Sequence, residues 1–317
     1  MHYIILGNTG LKVSRICFGA LTIGPNQRNL SLEEGSKVII KALEMGINFI
    51  DTAKTYGTYP YIARALAAVG GRGNIVLASK SHAYTEAQMK KDLFECLKSL
   101  KISEIDIFLL HEQQNRYTLK GHRPALEFLL KAKEKGYVRA VGISSHTVEA
   151  VSIAAEMPEI DVIHPLINIK GIGICDGTRD EMLLAIKKAY DNGKGIYAMK
   201  PFGGGHLIPN AREALQWVLG QSCIHSVAVG MQSEDEVKVN VIWASGEDVD
   251  EDVLARLKTK KRRITVADWC LGCGRCVERC TSGAVEIINQ KACISEVKCI
   301  LCSYCAMVCP EFCIKIF

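Results

Sequence analysis

The sequence predicts an α/β fold: a (β/α)8 TIM barrel over residues 1–245, a basic linker over 246–262, and a small C-terminal α+β unit over 263–317. Three observations carry this. Short β-branched runs alternate with helical stretches eight times before residue 246, within the length of such a barrel. The stretch after the first run, Gly19-Ala20-Leu21-Thr22-Ile23-Gly24, does not fit the G-x-G-x-x-G loop of an open doubly wound sheet. Beyond the linker the composition changes, with ten of the fourteen cysteines at or after Cys270.

Taken in order, the chain opens with a hairpin turning at Gly7-Asn8-Thr9-Gly10. Strand-like runs follow at 16–19, 48–51, 75–79, 106–110, 138–143, 161–163, 196–199 and 226–229. The first helix is announced by Ser31-Leu32-Glu33-Glu34, an N-cap with a Glu three positions on. Further helical patterns run at about 61–69, 86–100, 124–135, 147–155, 179–192, 211–219 and 234–244.

Composition narrows the class. Hydrophobic content of 48% suits a globular core, and no apolar run is long enough to span a membrane. The start, Met1-His2-Tyr3-Ile4-Ile5-Leu6-Gly7, lacks the charged segment and cleavage site of a secretory signal. Four cysteines (Cys17, Cys96, Cys175, Cys223) are scattered and the rest are clustered, as in a metalloprotein of a reducing cytoplasm. Net charge is +5, densest from Lys258 to Arg263. That run reads as a solvated linker or a neighbour to negative groups. No other basic motif supports a nucleic-acid partner.

The tail reads Cys270-x-x-Cys273-x-x-Cys276-x-x-x-Cys280, then Cys299-x-x-Cys302-x-x-Cys305-x-x-x-Cys309-Pro310. This is the bacterial-type run for a [4Fe–4S] cluster, written twice, and thiolate is the soft ligand such clusters take. In paired runs the fourth cysteine serves the other cluster. One cluster would use Cys270, Cys273, Cys276 and Cys309; the other would use Cys299, Cys302, Cys305 and Cys280. Two matched four-cysteine runs fit disulfides or zinc less well. Over about fifty residues the tail resembles a two-cluster ferredoxin domain. It departs from that pattern in Thr281, which follows Cys280 where the second run has Pro310. Cys293 and Cys313 fall outside the runs and read as buried small hydrophobes.

In a barrel, working residues stand just past the C-terminal ends of strands. The second strand ends in Asp51-Thr52-Ala53-Lys54-Thr55-Tyr56-Gly57, the third in Ser79-Lys80-Ser81, the fourth in Leu109-Leu110-His111-Glu112. Singly, these residues could be a cap, a packing aromatic, a solvated tip and a core histidine; together they deliver a chemical set to one face. With the opening Leu6-Gly7-Asn8-Thr9-Gly10-Leu11-Lys12-Val13-Ser14-Arg15-Ile16, they make the barrel resemble an aldo-keto reductase over essentially its whole length. The family's tetrad falls on Asp51, Tyr56, Lys80 and His111. The resemblance implies reduction of a small aldehyde or ketone by NADPH or NADH. Tyr56 would be the proton donor, drawn toward working pH by Lys80; Asp51 would hold Lys80 charged, and His111 would position the substrate oxygen.

The dinucleotide contacts match less closely. Ser144, Ser145 and His164 stand where the family holds the carboxamide, with Ser145 in place of the common Asn and His164 in place of Gln. Met199 replaces a stacking Tyr. Lys200, Pro201 and Gly203, in the run Met199-Lys200-Pro201-Phe202-Gly203-Gly204-Gly205, resemble the loop beside the nicotinamide and pyrophosphate. There glycine permits close approach to phosphate or simply a flexible turn. Gly230, Ser233 and Asn240 align with the adenosine-phosphate segment, where Gly230 and Glu236 replace Lys and Arg. Glu236 would oppose a 2′-phosphate, while the helix start at Ser233 favours an anion.

Three readings stay open. The barrel reduces a carbonyl and the clusters are structural or regulatory. Alternatively the clusters exchange electrons with a substrate or flavin in the barrel pocket, although no flavin motif stands out. Or the chain is a non-enzymatic redox-responsive subunit. A redox partner protein is compatible with the second and third. The cluster unit is expected to pack near the barrel and border its pocket, and the loop from Glu112 to Arg123 to line it.

Overall fold

The structure, a computed structural model, describes residues 1–258 and 262–316. The opening hairpin pairs β1 (Tyr3–Ile5) with β2 (Lys12–Ser14) antiparallel, and Gly10 supplies the left-handed turn at φ 70°. Eight parallel strands then close into a barrel: β3 (Ile16–Gly19), β4 (Phe49–Asp51), β5 (Val76–Ser81), β6 (Ile105–Leu110), β7 (Val138–Ser145), β8 (Val162–Pro165), β9 (Gly195–Met199) and β10 (Ser226–Gly230). Each pairs with its sequence neighbours, and β10 pairs with β3 to close the ring. Each expected run is a strand of this ring, with small shifts at the ends.

Around the barrel lie α1 (Leu32–Glu44), α2 (Tyr59–Ala68), α3 (Glu86–Leu100), α4 (Arg116–Gly121), α5 (Arg123–Glu134), α6 (Val148–Glu156), α7 (Arg179–Asp191), α8 (Ala211–Leu219) and α9 (Glu234–Ala244). The capping box expected at α1 is present: the Ser31 hydroxyl accepts from Glu34 N–H, and the Glu34 carboxylate accepts from Ser31 N–H. Helix α4, inside the loop expected to line the pocket, was not foreseen. It is short, and an Asn115 cap rather than apolar periodicity starts it.

Strand side chains alternate between two apolar layers. Cys17, Phe49, Val76, Ala78, Ile107, Leu109, Val162, Tyr197 and Ala228 fill the barrel interior, and Leu6, Leu11 and Val13 of the opening hairpin plug its N-terminal end. Ile16, Phe18, Ile50, Leu77, Phe108, Val141 and Ile163 face outward onto the helices. The same period of two aims the side chains at the strand ends. Phe49 points inward, so Asp51 does. Val76 and Ala78 put Lys80 on the axis, and Ile107 and Leu109 do the same for His111.

Past the barrel, α10 (Glu251–Lys258) occupies part of the expected linker. Residues 259–261, within the basic run from Lys258 to Arg263, lie outside the described residues. The tail then forms β11 (Ile264–Val266), α11 (Arg275–Arg279), a hairpin of β12 (Val285–Ile288) and β13 (Lys291–Ile294), α12 (Tyr304–Met307) and β14 (Ile314–Ile316). Its first and last strands pair antiparallel, which closes the unit on itself.

The tail docks on the C-terminal face of the barrel, as expected. Phe312, 2% exposed, packs with Leu166, Ile172 and Met199, and the Ile314 carbonyl lies 3.0 Å from His206 Nε2. A Cβ on Gly205 would stand 1.8 Å from the Ile316 carbonyl oxygen, and one on Gly204 2.9 Å from Phe312 Cζ. The glycine run, expected to serve a phosphate or a flexible turn, therefore also admits the tail's last strand.

Candidate active site

A cleft of about 2170 Å³ opens at the C-terminal face. Asp51, Tyr56, Lys80, His111, His164, Met199, Lys200, Pro201, Gly230 and Asn240 line it, joined by Trp269, Leu301, Glu311, Phe312 and Lys315 of the tail. It is wider than the roughly 300–1,000 Å³ of a drug-sized pocket, so a dinucleotide and a substrate fit together. The four tetrad residues come together as expected.

Lys80, 1% exposed, donates to Asp51 Oδ2 at 2.7 Å and to the Thr52 carbonyl at 2.8 Å. The other Asp51 oxygen accepts from the Tyr197 hydroxyl at 3.0 Å. A buried charge pair is tolerated when further hydrogen bonds satisfy its polar atoms, and here two of the three Lys80 donors and both Asp51 oxygens are engaged. Lys80 Nζ lies 4.8 Å from the Tyr56 ring centroid, and the Tyr56 and His111 rings meet edge to face at 5.7 Å. Burial, with Asp51 and Glu112 adding to it, raises the Tyr56 phenol well above its ordinary value. Lys80, 4.8 Å from the ring centroid, opposes this rise by favouring the phenolate. Tyr56 is held as an acid.

His111 is pushed well below its ordinary value by burial and then by Lys80 and the neighbouring His82, His146 and His164, so it is neutral. Among the described residues its Nδ1 is buried without a partner. His82 stacks on it at 4.2 Å between centroids. His164 is buried, stacks on Tyr197 at 3.9 Å, and contacts the Tyr197 carbonyl through Nδ1 at 2.6 Å. Burial lowers it to about 4. His82 and Tyr197 were missed by sequence reasoning. Both share a strand, or its end, with a residue that was found: His82 two past Lys80, Tyr197 two before Met199.

The dinucleotide contacts divide. Ser145 continues the outward register of Ile143, and its hydroxyl bonds Thr147. The Ser144 hydroxyl accepts from Glu112 N–H at 2.9 Å. Neither lines the cleft, nor do Gly203 and Ser233. Ser233 caps α9 by accepting from Glu236 N–H at 3.3 Å. At the other end of the cleft, Asn240 donates to the Glu236 carbonyl at 2.7 Å while its Oδ1, an acceptor, is buried without a partner among the described residues. Glu236 has Arg262 beside it, whose pKa it raises against a larger lowering by burial. Arg262, from beyond α10, lines the cleft together with Glu236. The residues at both ends fit a nicotinamide dinucleotide.

In the tail, Cys270, Cys273, Cys276 and Cys309 surround one small cavity together with Cys313. Cys299 and Cys302 lie near enough to Cys305 to raise its pKa to about 11, second to burial. The two loops repeat a backbone pattern: Gly272 and Gly274 have φ of 64° and 80°, and Leu301 and Ser303, at the matching places, 54° and 69°. Left-handed non-glycine residues cost on the order of 1–3 kcal/mol and cluster at functional loops. Backbone N–H groups of Ala284, Ala292 and Cys313 point at the sulfurs of Cys280, Cys270 and Cys309, at 3.2, 3.4 and 3.4 Å. These cysteines could hold iron–sulfur clusters, which take a thiolate at each of four corners. Among the described residues, no three His, Cys, Asp or Glu side chains form a group suited to a single metal ion. Cys313 is buried, as expected, but its sulfur lies 3.3 Å from that of Cys309. Cys293, on β13, is half-buried rather than buried.

A closed parallel barrel whose strand ends gather a tyrosine, a buried Lys–Asp pair and a neutral histidine in one cleft is the framework of an oxidoreductase acting on a small molecule. Residues 15–216 match the Aldo/keto reductase family, and the chain belongs to that family. It is similar to L-galactose dehydrogenase of Arabidopsis thaliana, 25% identical over 310 residues that cover 84% of this chain and 96% of that one. A solved aldo-keto reductase structure from Pseudomonas aeruginosa is 25% identical, with a TM-score of 0.66, over 77% of this chain and 94% of its own. The holo form of an aldo-keto reductase from Bacillus halodurans, 22% identical, shares the fold at a TM-score of 0.65 over 81% and 95%. The tail, from Ile264 onward, lies outside the family match. Among the described residues no helix is long and apolar enough to cross a membrane.

Proposed function

We propose that the barrel reduces an aldehyde or ketone using NADPH or NADH, with Tyr56 as proton donor. The observation that carries this is the convergence of Tyr56, His111 and the buried Lys80–Asp51 pair on one cleft. Bound dinucleotide would supply a hydride to the carbonyl carbon. The Tyr56 hydroxyl gives its proton to the carbonyl oxygen as negative charge grows there; an alkoxide is the stronger base, so transfer from a raised phenol remains downhill. Lys80 stabilises the phenolate left behind, and neutral His111 orients the substrate oxygen by hydrogen bond. His164, Met199, Lys200 and Pro201 would border the nicotinamide half. Gly230 and Asn240 would border the adenosine half, with Ser144, Ser145, Gly203 and Ser233 shaping these walls from behind. Arg262 beside Glu236 supports a cofactor carrying a 2′-phosphate.

The tail is read as a ferredoxin-like domain over residues 263–317 holding two [4Fe–4S] clusters. The first is assigned to Cys270, Cys273, Cys276 and Cys309, and the second to Cys299, Cys302, Cys305 and Cys280. The cavity ringed by the first set and the repeated left-handed loops support this. A ferredoxin-linked reaction in the same cleft is the second reading. Pro310 and Glu311 favour it, since each lines both the first-cluster cavity and the cleft. A reducing cytoplasm suits such clusters, and a redox partner protein would serve the second reading.

The test is anaerobic purification and titration of a carbonyl panel with NADPH and NADH. Tyr56→Phe should lower kcat by about 10²–10⁴-fold with the fold intact by circular dichroism; an unchanged rate would exclude Tyr56 as donor. Carbonyl reduction that survives loss of the cluster cysteines would exclude the ferredoxin-linked reading.

A further inference from the structure

Among the described residues, two ammonium groups in the cleft have no carboxylate within ion-pair distance. Lys200 and Lys315 both line it, one from the loop after β9 and the other from the tail's last strand. Lys200 Nζ is 2.7 Å from His146 Nε2, and Lys315 donates to the Phe312 carbonyl. Both lie over the Phe312 ring, Lys200 at 4.9 Å from its centroid. Glu112 attracts both from further away, as do Cys309 and Cys313 for Lys315 and Cys175 for Lys200. Burial lowers Lys200 to about 8 and, with Lys200 adding to it, lowers Lys315 well below its ordinary value; burial and then both lysines keep His146 neutral, able to accept from Lys200. Lys200 sits in the left-handed region at φ 59°, a strained conformation for a side chain. Two half-buried cations at close quarters without a carboxylate partner are costly unless an anion joins them.

The side of the cleft identifies the anion's source. Lys200 is close enough to Glu112 and Lys80 for both to act on it, and Glu112 also acts on Tyr56. The lysine pair therefore belongs to the tetrad end of the cleft, not the Asn240 end. We propose that Lys200 and Lys315 form an anion subsite that selects aldehydes or ketones carrying a carboxylate or phosphate group. This deepens the carbonyl reduction proposed above and rests on it. It also gives the tail a direct part in specificity, because Lys315 comes from outside the barrel.

The experiment uses the full chain, prepared anaerobically, with matched probes: succinic semialdehyde against butanal, and glyceraldehyde 3-phosphate against glyceraldehyde. The anionic member of each pair should be favoured in kcat/KM by about tenfold or more, mainly through KM, as charge-assisted hydrogen bonds of this kind allow. Lys315→Met should shrink that ratio toward one and Lys315→Arg should retain it; if the Met variant does not fold, Lys200→Met carries the comparison. A ratio of one in the unaltered protein would overturn the proposal. So would a Lys315→Met variant that slows both members equally, the mark of a packing role, or one that weakens only NADPH binding, the mark of a cofactor diphosphate site. If no carbonyl is reduced at all, the reduction itself fails, and calorimetry with inorganic phosphate still decides the subsite. Binding lost in Lys315→Met supports it, and no binding to the unaltered chain removes it.

Discussion

The barrel and the tail hold their shapes by different means. The barrel buries two continuous apolar layers, inside and outside its strands, with Phe18, Phe49, Phe108 and Tyr197 fully enclosed. The tail's core is thin and rich in sulfur: Cys276, Cys305 and Cys313 stand among Ile264, Val285 and Ile314, with Cys270, Cys280, Cys299 and Cys309 packed against them. Leu271, Val297, Ile300 and Met307 are exposed. A unit of some fifty residues with so little apolar burial needs staples, which bound iron would provide. The barrel's apolar layers are continuous, and the tail's are not.

On the cluster reading proposed above, the widest separation of the two should come from removing iron. Chelation, or Cys270→Ala with Cys309→Ala, should unfold the tail while leaving the barrel's circular dichroism and main thermal transition in place; a single transition shifted as a whole would show that the regions are not independent. Next in size is Gly205→Ala, which meets the Ile316 carbonyl and must adopt φ 95°. It should undock the tail at a cost of a few kcal/mol, roughly the scale of such backbone strain, visible as faster limited proteolysis after residue 246. Gly246→Ala, with open space around its Cβ at φ 81°, is the control and should cost about 1 kcal/mol.

Acid should separate them more mildly. Burial depresses His164 and His225 to about 4, so both stay neutral in the folded barrel while the unfolded chain takes up protons from about pH 6.5 downward. The unfolded state then binds more protons between pH 6.5 and 4, and barrel stability should fall across that window by a few kcal/mol. Thermal melts at pH 7 and 4.5 measure this, and a flat profile would remove it. The smallest effect is expected from Cys293→Ser, outside both runs. It should leave the cluster absorbance unchanged, whereas Cys280→Ala should remove about half.

The barrel was legible because its signals are local. Buried parallel strands read as apolar runs, and the period of two that buries Phe49, Ala78 and Leu109 also aims Asp51, Lys80 and His111. The cysteine spacings were equally local. What the sequence hid is long-range. Nothing near Gly204 announces Phe312, and nothing near Glu236 announces Arg262. Ser145 was misplaced because β7 runs two residues past the expected end and carries its side chain to the outer register. Burial at the Tyr56 phenol opposes its lysine neighbour, a balance no spacing reveals.

The glycine run at the docking face bears on how such a chain can change over time. With no space for a Cβ at Gly204 or Gly205, the loop after β9 and the last strand cannot drift separately. A larger residue on one side would have to be matched by retreat of the other. Among relatives of this barrel, the triple glycine and the Phe-x-x-Lys of the tail should therefore be inherited together or lost together.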